Sequence, residues 1–135
     1  LLQQRKLKVA IIQQNLEKLD ITAAVASASV TSTATSSAID LLEFDGDVVL
    51  VLNCAAGTGS SPTLNIKVQD SDTSGGTYGD LSGAAFTEVT TSASVQSLAV
   101  NKDECKRFIK IVQTVAGSSP VFVYGISLIA AKKYG

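Results

Sequence analysis

The feature that most constrains the fold is the regular return of short apolar runs after Ile39, each ended by Gly, Ser, Asp or Pro. In the run TLNIKVQD, the apolar residues Leu64, Ile66 and Val68 alternate with polar ones. This period of two is typical of an antiparallel strand with one buried face. Further runs of the same kind are AFTEVT, SVQSLAV, RFIKIVQTV and VFVYGISLIA.

Together with a weak early strand over Ser27 to Thr33, these runs predict about eight short antiparallel strands. No helical pattern follows Ile39, and Gly, Ser and Pro mark the turns. We therefore expect an all-β domain, a jelly roll or β-sandwich, over residues 21–135. A chain of 135 residues is long enough for one such core and too short for two.

Two kinds of turn are predicted between the strands. Asp45 and Gly46 separate IDLLEF from VVLVLNC, a pattern typical of a tight hairpin. The motif Gly-Ser-Ser-Pro occurs twice, at residues 59–62 and 117–120, each time before an apolar run. Because proline suits the first position of a strand, the repeat predicts two hairpins at similar corners of a sandwich.

Residues 1–20 form an apolar arm before this domain. Leu2, Val9 and Leu16 are seven residues apart, and Ile12 and Leu19 are offset by three, which is a partial heptad pattern. The stretch LKVAII also alternates as a strand does, so helix and strand both stay open. Such an arm docks on its own domain or on a partner. The predicted partner-interface residues are Leu2, Val9, Ile12, Leu16 and Leu19, together with Tyr78.

The stretch QDSDTSGGTYGD, residues 69–80, resembles the first half of a calcium-binding loop. Asp70, Asp72 and Ser74 occupy the first three ligand positions, but Leu81 stands where the closing Glu is required. A strand also precedes the loop where the calcium motif has a helix. We therefore interpret the stretch as an exposed turn and predict no metal. Tyr78 within it is an interface anchor or packs over the end of the sandwich.

Composition argues against catalysis and against several kinds of partner. The sequence has no histidine, which removes Ser-His and Cys-His nucleophiles and the commonest zinc ligand. We predict no enzyme and no cofactor, and we expect Cys54 and Cys105 to be reduced core thiols, with one disulfide as the alternative. A net charge of -1 gives no reason to expect a nucleic-acid partner. No apolar run approaches the roughly 20 residues of a membrane span.

The chain resembles a known family from Ser36 to Lys133. The quoted stretches SSAIDLLEFDGDVVLVLNCAAGTGSSPTLNIKVQDSD and KRFIKIVQTVAGSSPVFVYGISLIA are similar to small capsid cement, or decoration, proteins of tailed bacteriophages, that of a Bordetella phage among them. The resemblance implies a jelly roll made in the host cytoplasm and placed on the outer surface of the virion. It also implies that the protein clamps neighbouring major capsid subunits against internal DNA pressure.

On this interpretation the partners are the major capsid protein and a second or third copy of the chain, in a dimer or trimer. Two other functions stay open. One is a receptor- or glycan-binding module of a head fibre or tail, which would use Tyr78; the lack of Trp weakens it. The other is a tail-completion or connector protein.

Overall fold

The computed structural model describes residues 19–132, which form two packed antiparallel sheets built around one long strand, β8. The strands are β1 Leu19–Val30, β2 Ala34–Thr35, β3 Ile39–Asp40, β4 Phe44–Cys54, β5 Thr58–Ser71, β6 Gly79–Ala85, β7 Ser94–Val100 and β8 Phe108–Lys132, with a 3-10 turn at Lys102–Glu104. The described residues are therefore an eight-stranded all-β sandwich of the jelly-roll kind, which confirms the predicted fold class.

Strand β8 belongs to both sheets because it bends in its middle. On one edge it pairs with β1, β2 and β3 in turn, and on the other with β4 and then β5. Its C-terminal half lies in sheet A, in the order β1-β8-β4-β7. Its N-terminal half lies in sheet B, where β2 and β3 flank it on one side and β5 and then β6 on the other.

The two Gly-Ser-Ser-Pro segments lie side by side at this bend. Ser60 of β5 pairs with Ser118 of β8, and the register shifts on either side of that pair. Gly59 and Gly117 have φ of 113° and 118°, and each of the two segments also holds a serine with φ of 49°. The prediction of two hairpins is wrong, because neither segment reverses the chain. They are instead matched bulges in two paired strands, at the point where β8 passes from sheet B into sheet A.

The prediction of a hairpin at Asp45–Gly46 is also wrong. Strand β4 continues through both residues without reversing, with Gly46 at φ 79°. Between the pairs Asp45 with Ala131 and Val49 with Ile129, β4 has two more residues than β8, so the Asp-Gly pair forms a bulge. The IDLLEF run contributes the short strand β3, which pairs with β8 instead of β4, and its last residue, Phe44, begins β4.

Two other strand predictions are displaced along the sequence. The weak early strand lies at Leu19–Val30, where β1 pairs with the C-terminal half of β8. Within AFTEVT the regular strand ends at Ala85, and only an isolated bridge joins Val89 to Leu64. The SVQSLAV run forms β7 as predicted.

The core lies between the two sheets and follows the alternation in the sequence. Leu64, Ile66 and Val68 of β5 are buried, as the period of two predicted. The second half of β8 repeats the pattern, and its inward residues are Phe122, Tyr124, Ile126, Leu128 and Ala130. Burying one large apolar side chain contributes about 1.5–3 kcal/mol, so this layer holds the sheets together.

A polar contact inside the core connects the two halves of β8. The Tyr124 hydroxyl donates to Gln113 Oε1, and Gln113 Nε2 donates to the Ser32 carbonyl at 2.8 Å. Tyr124 and Gln113 are both buried, so a lost partner would leave an unsatisfied polar group. The contact therefore fixes sheet A against sheet B and against the segment between β1 and β2.

Because Tyr124 is buried, we expect the protein to lose stability at alkaline pH. Burial raises the pKa of Tyr124 to about 12 from its ordinary value near 10. Between these values the unfolded chain releases the proton and the folded chain keeps it, so stability is lost as the pH rises through this window, by about 2–3 kcal/mol. Urea unfolding at pH 9 and pH 12 measures the loss. The Tyr124→Phe variant should not show this loss of unfolding free energy. An equal loss in the variant would contradict its assignment to Tyr124.

Candidate docking face

The loop that resembles a calcium site is a connection between β5 and β6. Asp70 is buried, and its Oδ2 accepts from the backbone N of Lys106 at 3.0 Å. Asp80 instead accepts from Lys67 Nζ and Gln69 Nε2, and these hydrogen bonds hold the pKa of its carboxyl below the usual range. Asp80 pairs with Gln69 in the register, so Asp70 points to the opposite face of the sheet.

Tyr78 lies in this loop and stabilises it. Its hydroxyl donates to the Ser74 carbonyl at 2.8 Å, and Lys110 Nζ lies 4.5 Å from the centre of its ring. A cation over an aromatic face contributes about 0.5–1 kcal/mol at an exposed site. Tyr78 therefore anchors the loop onto sheet B, and its predicted role at a partner interface stays a prediction.

The two cysteines lie at opposite ends of β4 and are not bonded to each other. Cys54 ends the strand and is buried, and Cys105 follows the 3-10 turn near the other end. Burial raises the pKa of both thiols, so they are protonated at neutral pH.

Among residues 19–132, no group of three His, Cys, Asp or Glu side chains is placed to hold a metal ion. In the same part of the chain no helix is long and apolar enough to cross a membrane.

The most distinctive surface is the outward face of sheet A. Residues opposite each other in an antiparallel sheet point to the same side, so the register places Ile21, Ile129, Val49 and Ala99 in one row across four strands. The sequence pattern does not single out these four residues as a surface. Ile21 is 70% exposed.

Smaller uncharged side chains continue this face on both sides of that row. The neighbouring outward positions are Leu19 and Ala131 on one side, and Ala23, Ser127, Val51 and Ser97 on the other. Val95 and Val123, both exposed, lie further along. Among the described strands, the outward positions of sheet A carry no charge beyond Asp45 and Asp47, which mark the rim at the β4 bulge. We call this surface the docking face.

A groove crosses the docking face over Gly125. It has a volume of about 310 Å³ and lies between Ala23 and Ser27 of β1 and Asn53 of β4. The groove exists because Gly125 has no side chain and β1 passes close by: a Cβ there would lie 3.1 Å from the Ser27 Cα. The groove is wide enough for an apolar side chain of another segment.

The outward face of sheet B has the opposite character. Lys67 Nζ lies 3.0 Å from Asp80 Oδ1, and Asn65 donates to Glu88 at 2.9 Å. At the end of the sheet, Arg107 makes two hydrogen bonds with Asp40, at 3.0 and 2.8 Å. Charged pairs of this kind are well solvated. The sandwich therefore has one largely uncharged side and one charged side.

The predicted interface residues do not come together in the described structure, since Tyr78 lies in the loop between β5 and β6. Leu19 is the first residue of β1, points onto the docking face beside Ala131 and is 44% exposed. Leu2, Val9, Ile12 and Leu16 lie outside the described residues. Exposed Val95 and Val123 were missed, because alternation alone does not show which apolar residues face outward.

No protein-family model matches the sequence, and no curated protein matches it significantly. Several solved structures, however, align with the described fold. The PBSX exported protein XepA aligns with a TM-score of 0.58 and 13% identity, over 86% of this chain and 38% of that one. The VP2 subviral particle of infectious bursal disease virus aligns with a TM-score of 0.55 and 11% identity, over 83% of this chain and 32% of that one.

The T13 viral particle of the same virus gives a TM-score of 0.55 at 12% identity, over 84% of this chain and 31% of that one. This likeness establishes the fold. The chain spans between 31% and 38% of the length of these three structures, so it matches one part of each. The sandwich described above is thus an architecture that a protein of a viral particle also uses.

Proposed function

We propose that the protein is a structural virion protein, a capsid cement protein that binds the outer surface of a phage head and clamps neighbouring major capsid subunits. The observation that carries the proposal is the difference between the two faces of the sandwich. A largely uncharged docking face with an exposed isoleucine suits contact with another protein, and a charged face suits solvent. The shared fold with a protein of a viral particle supports the same role.

Cement proteins act mechanically, so the proposal needs contact area and not a reactive group. A face that is uncharged inside its rim can pack against a capsid subunit without the cost of desolvating an unpaired charge. Many copies on one lattice hold adjacent subunits together although each contact is weak, because the second contact of a bridging protein is intramolecular. Self-association of two or three copies on the lattice would add to this effect.

The glycan-binding alternative receives less support from the structure. Sugar platforms commonly use an open aromatic face, and Lys110 already lies over the ring of Tyr78. The Tyr78 hydroxyl is used within its own loop. We therefore keep this alternative as an outcome of the test below.

Co-sedimentation with empty phage heads that lack the protein tests the proposal. We expect saturable binding that a calcium chelator does not change, because Asp70 and Asp80 are engaged with protein groups and point to opposite faces. Heads incubated with the protein should also withstand a higher temperature before they break. An absence of binding to heads, together with retention on immobilised glycans, would contradict the proposal and favour the glycan-binding module.

A further inference from the structure

We propose that strand β7 pairs with β7 of a second copy, in antiparallel orientation, and so joins two sheets A into one continuous sheet. The pairing lies at the edge of sheet A and leaves the row of Ile21, Ile129 and Val49 uncovered. The dimer is a property of the free protein and needs no capsid, whereas its use as a clamp rests on the proposed function.

Strand β7 has one side that pairs with no other strand. Within residues 19–132, Ser94–Val100 pairs with β4 alone. A gap of about 200 Å³ separates the end of β7 from residues 81–84 of β6. On the inner side of the sandwich, Gln96 accepts from the Thr87 backbone N at 2.8 Å and donates to the Thr87 carbonyl at 2.9 Å. The strand is therefore held in place, while its outer side presents backbone N–H and C=O groups to a further strand.

The sequence of β7 lacks the features that keep edge strands from pairing. Natural edges are protected by charges, proline, bulges or short length. The register of β1 with β8 shifts twice, and that of β6 with β5 shifts at a segment that follows Asp80. Strands β2 and β3 have two residues each. The sequence SVQSLAV of β7 carries no charge and no proline, and its register with β4 does not shift. Among the described edges, β7 is therefore the one best suited to pairing.

The same strand is complementary to itself, which favours a second copy as the occupant. An antiparallel pair centred on Ser97 uses all seven residues and places Ser97 opposite Ser97 of the second copy. Val95 then lies opposite Ala99 of the second copy. Val95 is 73% exposed, and its contact with this alanine removes apolar surface from water. No charge is desolvated in the pairing, and both copies use the same edge, as a twofold dimer requires.

The symmetry of this dimer places both docking faces on the same side. The twofold axis of an antiparallel pair is perpendicular to the sheet, and opposite residues point to the same side. Two four-stranded sheets, each in the order β1-β8-β4-β7, thus become one sheet of eight strands. On a phage head, the two docking faces of one dimer would contact two neighbouring capsid subunits. A face of modest size could then clamp subunits, because the second contact is intramolecular.

Sedimentation equilibrium of the full chain, from micromolar to millimolar concentration, tests the dimer. A short edge buries less than the roughly 800 Å² that each partner of a stable complex buries, so we expect the mass to rise from one chain toward two near the upper end. Ser97→Lys should keep the mass of one chain throughout, because two lysines would lie opposite each other.

Ser127→Lys is the matched control for this measurement. Ser127 is also exposed on the docking face, but it lies on β8, which β4 separates from β7. This variant should dimerise as the unchanged chain does. A one-chain mass for the unchanged protein at millimolar concentration, or equal masses for the two lysine variants, would overturn the inference.

Cross-linking of full chains with a short bismaleimide tests the register. A Val95→Cys chain mixed with an Ala99→Cys chain should give cross-linked dimers, because these positions lie opposite each other. Neither variant alone should exceed the unchanged chain, the control for Cys54 and Cys105, since identical positions would lie about 14 Å apart along the strands. A mixture that does not cross-link, or a variant that cross-links equally well alone, would contradict the pairing. Both measurements use the protein alone, so their failure is distinguishable from a failure to bind phage heads.

Discussion

Gly117→Ala is expected to lower the free energy of unfolding by about 3 kcal/mol, a large share of the roughly 5–15 kcal/mol typical of a domain. Two effects add. The φ of 118° at Gly117 is strained for any residue with a Cβ. The new Cβ would also lie 2.8 Å from the Ser61 carbonyl oxygen and 2.9 Å from the Pro62 Cα, both backbone atoms of the facing bulge. The bend that joins the two sheets would have to open.

Two other glycines separate these effects, and urea unfolding measures all three variants. Gly83 has φ 76°, but no atom lies within 4 Å of the position that a Cβ would take, so Gly83→Ala should cost only the backbone strain, about 1 kcal/mol. Gly75 has open space and no positive φ, so Gly75→Ala should be close to neutral. If Gly117→Ala cost no more than Gly83→Ala, the close contact between the two Gly-Ser-Ser-Pro bulges would be refuted.

The second prediction concerns function: Val49→Asp should weaken binding to empty phage heads by about a hundredfold or more. The substitution places an unpaired carboxylate in the row of Ile21 and Ile129. A buried charge without a partner costs about 3–5 kcal/mol, and each 1.4 kcal/mol is a factor of about ten in affinity. Binding isotherms from co-sedimentation at several protein concentrations measure the loss.

Val112→Asp is the matched control for this experiment. Val112 is also a half-buried valine on an outward face, but it lies on sheet B between Thr35 and Lys67. Asp at position 112 would lie opposite Lys67, so Val112→Asp should cost no more stability than Val49→Asp, and only Val49→Asp should lose head binding. Equal losses of binding in the two variants would show that the docking face has no special role.

The fold class was predictable because burial on one side of a strand imposes a period of two. The alternation in β5 gave the correct inward residues, and the second half of β8, predicted as a strand, buries alternate residues in the same way. The turns were harder to predict. Positive φ occurs at Asp45–Gly46 and in both Gly-Ser-Ser-Pro segments. A hairpin and a bulge both need residues that tolerate positive φ, so the residue types do not distinguish them. Only the long-range pairing with β8 decides between them.

The docking face was not predictable for a similar reason. Ile21, Val49 and Ile129 are far apart in the sequence and come together only through the register of β1, β4 and β8. Each is an ordinary apolar residue of a strand. Leu19 was identified through the heptad pattern of the arm, and its position on the face follows from its place at the start of β1.

The measurement that tests the proposed cement function most directly is a cryo-electron microscopy reconstruction of empty phage heads saturated with the protein. We expect density for the sandwich on the outer surface, bridging neighbouring capsid subunits. Sheet A should face the capsid, and the loop of Tyr78 and sheet B should face solvent. A sandwich bound with sheet B against the capsid, or heads that carry no added density, would contradict this function for the docking face.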